Sequence, residues 1–168
     1  MAVFKIVPFE SLDFYTRKEA VLIGQKTVKN AKPKFKVKAL SRDDLVFVAL
    51  KDEKPVGIIN ASVCSWHGKN CLRILGLYTK PSPEFYRQSG KTVGEALVEK
   101  TVMAALVKGC NIVVPLMPNK HSKALIKRYI ERGIIEPVGS GFFSRPYRIA
   151  QTGFLQKGRE SAKRRLRA

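Results

Sequence analysis

The sequence predicts a mixed α+β domain, a mostly antiparallel sheet of about seven strands packed with helices. Three observations carry that prediction. Residues 45–79 hold three strand-like runs, LVFVALKD, PVGIINASVCSW and CLRILGLYT, and residues 52–55 and 67–70 supply turns between them, the pattern of an antiparallel meander. NIVVPLMP, at residues 111–118, is nearly all apolar and fits only a strand in the middle of a sheet, covered on both faces. From 92 to 107 the only charges are Glu95, Glu99 and Lys100, so this helix is expected to be buried on more than one side.

The other elements follow along the chain. AVFKIVP alternates as a short strand that Pro8 ends. Ser11 offers a helix N-cap, and residues 12–30 form one or two helices with a break at Gly24. Lysine then recurs up to Lys38, and Lys32, Lys34, Lys36 and Lys38 share one face of an extended segment, either a solvated edge that resists aggregation or a surface laid against an anion. Residues 83–110 read as a loop feeding the long helix. Residues 119–132 form an amphipathic helix with Ala124, Leu125, Tyr129 and Ile130 on its apolar face, and Gly133 stops it. IIEPV and FFSRPYRIA close the fold as a hairpin turning at residues 139–141. The domain thus spans residues 1–152. Residues 153–168 are a basic arm with Lys157, Arg159, Lys163, Arg164, Arg165 and Arg167 against Glu160 alone.

With 32 Lys and Arg against 13 Asp and Glu among 168 residues, the formal net charge is +19. Solubility needs far less, so an anionic partner is expected: nucleic acid, an acidic membrane surface or a polyphosphate cofactor. Three cysteines, Cys64, Cys71 and Cys110, are too few and too odd in number for a disulfide framework, which points to a reducing compartment. The N-terminus has no secretory pattern and no run of about 18 apolar residues occurs, so the expectation is a soluble, cytoplasmic chain without a membrane partner. Cys64-x2-His67-x3-Cys71, joined by Cys110 or His121, matches no standard zinc module; small core cysteines beside a turn account for it, and no metal is expected. Trp66, Tyr78, Phe142 and Phe143 lie near basic residues that favour base stacking, but they alternate with apolar residues on strands, the pattern of sheet packing.

The head of the long helix is a candidate site. Gly90 and Gly94 sit four apart, on one face of its first turn, where missing side chains would let a ligand reach N–H groups that lack partners within the helix. Lys91 adds charge to the positive end of the helix dipole, which suits a phosphate or pyrophosphate. Close packing of the helix on a sheet would use the same glycines. A P-loop is excluded: Gly90-Lys91-Thr92 supplies its ending, but Phe85 stands where its first glycine belongs.

The order of elements, and above all SPEFYRQSGKTVGEALVEK, resembles the GNAT superfamily of acyl-CoA-dependent N-acetyltransferases, whose segment reads Pro-Glu-Tyr-Arg, Gly-Lys-Gly-Ile-Gly, Ala-Leu-Leu. The resemblance covers residues 3 to about 150 and implies a twisted sheet with helices on both faces, and acetyl-CoA as cofactor. In such proteins the fourth strand's backbone pairs with the pantetheine, and N–H groups of the following turn and first helical residues hold the pyrophosphate. Carried over by position, this assigns Leu77 and Tyr78 to the pantetheine, and Ser89, Gly90, Lys91, Thr92, Val93 and Gly94 to the pyrophosphate, with Thr92 in place of the motif's middle glycine. Ser89 stands where the family has Arg or Gln, unless one extra loop residue gives that role to Gln88; Arg87 and Lys91 would hold phosphates. Asn119 and Tyr129-Ile-Glu-Arg-Gly133 resemble the family's Asn and Tyr-Glu-Lys-Leu-Gly-Phe, across an interval about one helical turn longer. By that match Tyr129 is the acid that protonates the departing thiolate, if its hydroxyl reaches the sulfur. Core packing is its other reading. The strand at 71–78 carries no acid, so Glu84 in the next loop is the nearest candidate base, beside its reading as a solvated surface carboxylate.

Two functions stand on these residues. One is acetyl-CoA-dependent transfer of an acetyl group to an amine. The other keeps the fold without the chemistry: Thr92, the missing strand acid, the basic arm and the net charge of +19 fit a nucleoprotein or virion component that binds DNA or RNA through its lysine-rich edge and arm. Compact length and a degenerate motif are similar to GNAT-like proteins encoded by bacteriophages, and imply host cytoplasm or the virion.

Overall fold

The computed structural model describes residues 3–26, 44–115, 120–133, 135–137 and 147–149. Lys32, Lys34, Lys36, Lys38, Asn119, the turn at 139–141, Phe142, Phe143 and the arm from 153 lie outside the described residues. In chain order the elements are β1 (Phe4–Pro8), a 3-10 turn (Phe9–Ser11), α1 (Phe14–Lys26), β2 (Asp44–Lys51), β3 (Lys54–Trp66), β4 (Lys69–Thr79), α2 (Pro83–Ser89), α3 (Val93–Val107), β5 (Ile112–Pro115), α4 (Lys120–Glu131), β6 (Ile135–Pro137) and β7 (Tyr147–Ile149). The strands form one sheet in the order β1-β2-β3-β4-β5-β7-β6. Every pairing is antiparallel except β4 with β5.

The meander is set by two tight turns. Asp52 and Glu53, then His67 and Gly68, all have positive φ, the conformation of two-residue hairpin turns whose twist matches the flanking strands. Six consecutive residues of β2 are buried. Leu45, Phe47 and Ala49 enter the core beneath α3, while Val46, Val48 and Leu50 enter the smaller core beneath α1. An uninterrupted apolar run is therefore what a strand with helices on both faces requires. β5, the described part of NIVVPLMP, is likewise a middle strand, with β4 on one side and β7 on the other.

Four local expectations are corrected. The N-cap of α1 is Asp13, which accepts from the N–H groups of Tyr15 and Thr16 at 2.9 and 3.0 Å. Ser11 donates to the Pro8 carbonyl and closes the preceding turn instead. Gly24 does not break α1: it faces Tyr78, and a Cβ there would meet that ring at 3.3 Å. Residues 83–89 are a helix, α2, with Pro83 in its first turn where the missing N–H costs nothing. On α4, Ile130 is exposed, and Ile126, one turn before the buried Tyr129, packs against the core.

Helix α3 crosses the sheet beneath its central strands. At its end, Gly109 takes a positive φ of 77° and donates to Leu106, while Cys110 donates to Ala105, a Schellman stop. Its distance from the sheet is set by Gly57 on β3. A Cβ at Gly57 would lie 2.9 Å from Val93 Cγ1, 3.0 Å from Leu97 Cδ1 and 3.2 Å from Thr79 Cγ2. Two of these belong to stiff β-branched side chains. Gly57→Ala is expected to cost about 1–3 kcal/mol by overpacking, read from the midpoint of urea unfolding at unchanged m-value.

Candidate active site

Strands β4 and β5 pair from Cys71↔Ile112 to Ile74↔Pro115. Between Ala61↔Ile74 and Asn60↔Gly76 the register shifts, leaving Leu75 as an extra residue on β4. Such a bulge bends the strand and increases its twist. From Leu75 to the end of β4 no strand pairs with its β5-side edge among the described residues. That edge, uncovered by any described strand, is where a ligand can approach the β4 backbone. Leu77 packs against the core beneath α3, and Tyr78, one residue on, against the core beneath α1. For Tyr78 the structure thus favours sheet packing over base stacking.

The turn into α3 is built from internal hydrogen bonds. Gly90 is the left-handed C-cap of α2, and its N–H donates to the Tyr86 carbonyl at 2.7 Å. It is not part of the first turn of α3, which corrects the pairing of Gly90 with Gly94 on one face of that turn. The Lys91 N–H donates to Ser89 Oγ at 3.2 Å. Thr92 is the N-cap: its N–H donates to Glu95 Oε2 at 2.6 Å, and its own Oγ1 accepts from the Glu95 N–H at 3.2 Å. This reciprocal capping box satisfies two of the donors that a helix start leaves open. Val93 and Gly94 follow, and among the described residues nothing accepts from their N–H groups. A Cβ on Gly94 would sit 3.5 Å from Leu77 Cδ2 and 3.8 Å from Thr79 Cγ2, so its bare face looks toward β4.

Charge around this point is arranged across three elements. Arg87 lies in the exposed last turn of α2, followed by exposed Gln88 and Ser89. Lys91 is ion-paired with Glu99 on α3. The Glu95 side chain is 1% exposed, and among the described residues its Oε1 accepts no hydrogen bond, with Arg132 Nη2 at 3.5 Å and Arg128 Nη1 at 3.8 Å. Arg132 Nη2 also donates to the Gly90 carbonyl at 3.4 Å, which ties the end of α4 to the turn. Tyr129, buried between them, donates to the Glu95 carbonyl at 3.2 Å. Burial first, then the Glu95 and Glu99 carboxylates, raise its pKa and keep the phenol protonated.

The structure brings Leu77, Lys91, Thr92, Val93, Gly94 and Tyr129 together. It does not bring Glu84 there, because that carboxylate is ion-paired with Lys51 at the end of β2, two strands from β4. Glu84 sits half-exposed, the surface reading of its alternatives, and Glu84→Gln is expected to change stability by less than about 1 kcal/mol in thermal unfolding. Glu95, Arg128 and Arg132 were missed by the sequence reading. The signals were present, as Thr92-x2-Glu95 has capping-box spacing and Arg128-x3-Arg132 places two cations on one helix face.

The sequence matches the profile of the acetyltransferase (GNAT) family over residues 12–130. The chain belongs to the GNAT acetyltransferase family. No curated protein matches it as a relative. Among solved structures, AAC(6')-Iy, held in complex with the bisubstrate analogue CoA-S-monomethyl-acetylneamine, has 16% identity and a TM-score of 0.58, covering 84% of this chain and 97% of its own. A GNAT-family acetyltransferase from Staphylococcus aureus Mu50 has 14% identity and a TM-score of 0.57, covering 88% and 98%. The aminoglycoside antibiotic 6'-N-acetyltransferase AAC(6')-IG from Acinetobacter haemolyticus has 16% identity and a TM-score of 0.56, covering 83% and 97%. At these identities the likeness is one of fold. The residues of this GNAT chain fit a CoA-type cofactor at two points: the N–H groups of Val93 and Gly94, which find no acceptor among the described residues, and the edge of β4 that no described strand covers. Among the described residues no group of three His, Cys, Asp or Glu is placed to hold a metal, and no helix is long and apolar enough to cross a membrane.

Proposed function

We propose that this chain is an acetyl-CoA-dependent N-acetyltransferase that transfers an acetyl group to an amine. The observation that carries the reading is the pair of N–H groups at Val93 and Gly94, which find no acceptor among the described residues, at the positive end of α3 and beside the edge of β4 that no described strand covers. Helix N-termini of this kind bind pyrophosphate. In the proposed assignment Val93 and Gly94 donate to it, Arg87, Lys91, Arg128 and Arg132 balance its charge, and the β4 backbone at Leu77 and Tyr78 pairs with the pantetheine. Ser89, Gly90 and Thr92 shape the turn; Gln88, as the alternative to Ser89, and Asn119 are assigned to the cofactor by the family resemblance alone. The cofactor supplies an acetyl group already activated as a thioester. Tyr129 carries the proton for the sulfur, and the amine loses its own through water, because alignment dominates attack on an activated ester.

Isothermal titration with acetyl-CoA, with ATP as a control for bare polyphosphate attraction, tests the reading. Micromolar binding that ATP does not reproduce supports it, and equal heats from both ligands overturn it.

A second reading rests on the net charge of +19. Here the chain binds nucleic acid through Lys32, Lys34, Lys36, Lys38 and the arm with Lys157, Arg159, Lys163, Arg164, Arg165 and Arg167. Affinity should then fall steeply with salt and show little sequence preference. Deleting residues 154–168 should weaken DNA binding and leave acetyl-CoA binding unchanged; DNA binding insensitive to salt would sink this reading.

A further inference from the structure

Cys64 and Cys71 meet across the β3–β4 hairpin far from any role in the chemistry above. The two-residue turn at His67 and Gly68 fixes the register as Trp66↔Lys69, Ser65↔Asn70 and Cys64↔Cys71, and the only register shift between these strands comes later, at Asn60/Ala61. The cysteines are therefore directly opposed. Val63 and Leu72, their neighbours, pack against the core beneath α3, so alternation turns both thiols to the other face of the sheet. Their sulfurs lie 2.8 Å apart. Directly opposed strand positions have Cα separations of about 4.5–5.5 Å, inside the range of about 4.4–6.8 Å that a disulfide spans. A shared metal ion fits less well: with metal–sulfur bonds of about 2.3 Å, tetrahedral geometry holds sulfurs roughly 3.8 Å apart.

We propose that Cys64 and Cys71 form an oxidisable dithiol, a modification site that peroxide converts to a cross-strand disulfide. The two sulfurs divide the work by their surroundings. Cys64 is partly exposed and Cys71 is wholly buried. Burial, then the contact with Cys64, pushes the Cys71 thiol up to about 12, so it stays protonated. The Cys64 thiolate attacks one peroxide oxygen; an S–O bond forms, the O–O bond breaks, and hydroxide leaves to become water. Cys71 sulfur then attacks the Cys64 sulfenic acid; the S–S bond forms, the S–O bond breaks, and the departing hydroxide takes the Cys71 proton. Two thiols are oxidised, one peroxide is reduced, and two waters result. Cys110, the third thiol, is buried in the core beneath α3 and takes no part.

The test is to reduce the full chain, expose it to hydrogen peroxide, alkylate it after denaturation, and measure intact and peptide masses. The expected product is lighter by two hydrogens before alkylation, takes one alkyl group at Cys110, and yields a Cys64–Cys71 linked peptide that dithiothreitol separates. Cys110→Ser should still give the link, and Cys64→Ser should not. Oxygen added at Cys64 without loss of two hydrogens, a link through Cys110, or three alkylated thiols would each overturn the proposal.

Discussion

Gly94→Trp is expected to abolish acetyl-CoA binding, while Gly94→Ala folds and still binds. The argument is one of direction. A Cβ at position 94 points at β4, and its nearest neighbours are Leu77, Thr79 and Thr92, at 3.5, 3.8 and 3.9 Å, which are ordinary contact distances. A methyl group therefore fits, and replacing a helical glycine by alanine adds up to about 1 kcal/mol of stability. An indole continues along the same line into the Leu77 and Thr79 side chains, against the stretch where the first turn of α3 faces β4. A ligand that pairs with the edge of β4 must pass there to reach the N–H groups of Val93 and Gly94. Losing two hydrogen bonds to a charged acceptor costs about 3–6 kcal/mol, on the order of 10²- to 10⁴-fold in affinity. Titration of both variants, each checked by circular dichroism, measures it; wild-type affinity in a folded Gly94→Trp protein would show that the ligand does not use this turn.

Much of the fold was legible because it is written in local signals. Turn residues and apolar runs specify the meander, and the apolar run at 111–118 requires a central strand, which the pairing of β5, Ile112–Pro115, with both β4 and β7 bears out for its described part. The start of α3 is legible as well, although its residues read first as ligand chemistry. Thr92 looks like a damaged glycine motif; in the structure it is half of a capping box, and the side chain is used to start the helix. Likewise Ser82-Pro83-Glu84 has the spacing of a helix start, and α2 begins there. What no local pattern reveals is tertiary. Gly57 sits on a strand thirty-six residues before Val93, and nothing near it in sequence says that α3 will press on it. The approach of Arg128 and Arg132 to Glu95 joins two helices that only the folded core brings together.

Tyr129→Phe is expected to lower kcat by about 10²- to 10⁴-fold with KM little changed, because a phenol placed to protonate the sulfur acts in the transition state and not in binding. Its single proton now rests on the Glu95 carbonyl at 3.2 Å, so the hydroxyl must turn from that acceptor to serve the sulfur. Stability should fall by about 1 kcal/mol, the usual net worth of a hydrogen bond. The pH dependence separates an acid from a packing residue. Burial, reinforced by Glu95 and Glu99, raises the folded pKa above the ordinary phenol value of about 10, so the folded protein holds this proton where the unfolded chain releases it. That stabilising difference is fully present below about pH 10 and is lost as pH rises toward the folded value. The wild type should therefore lose stability relative to Tyr129→Phe above pH 10, while its kcat shows no falling limb from this residue at lower pH. The alkaline loss follows from burial alone; only an acid also produces the fall in kcat, and a variant that keeps wild-type kcat with the expected loss of stability would make Tyr129 a core residue whose hydroxyl merely ties α4 to α3.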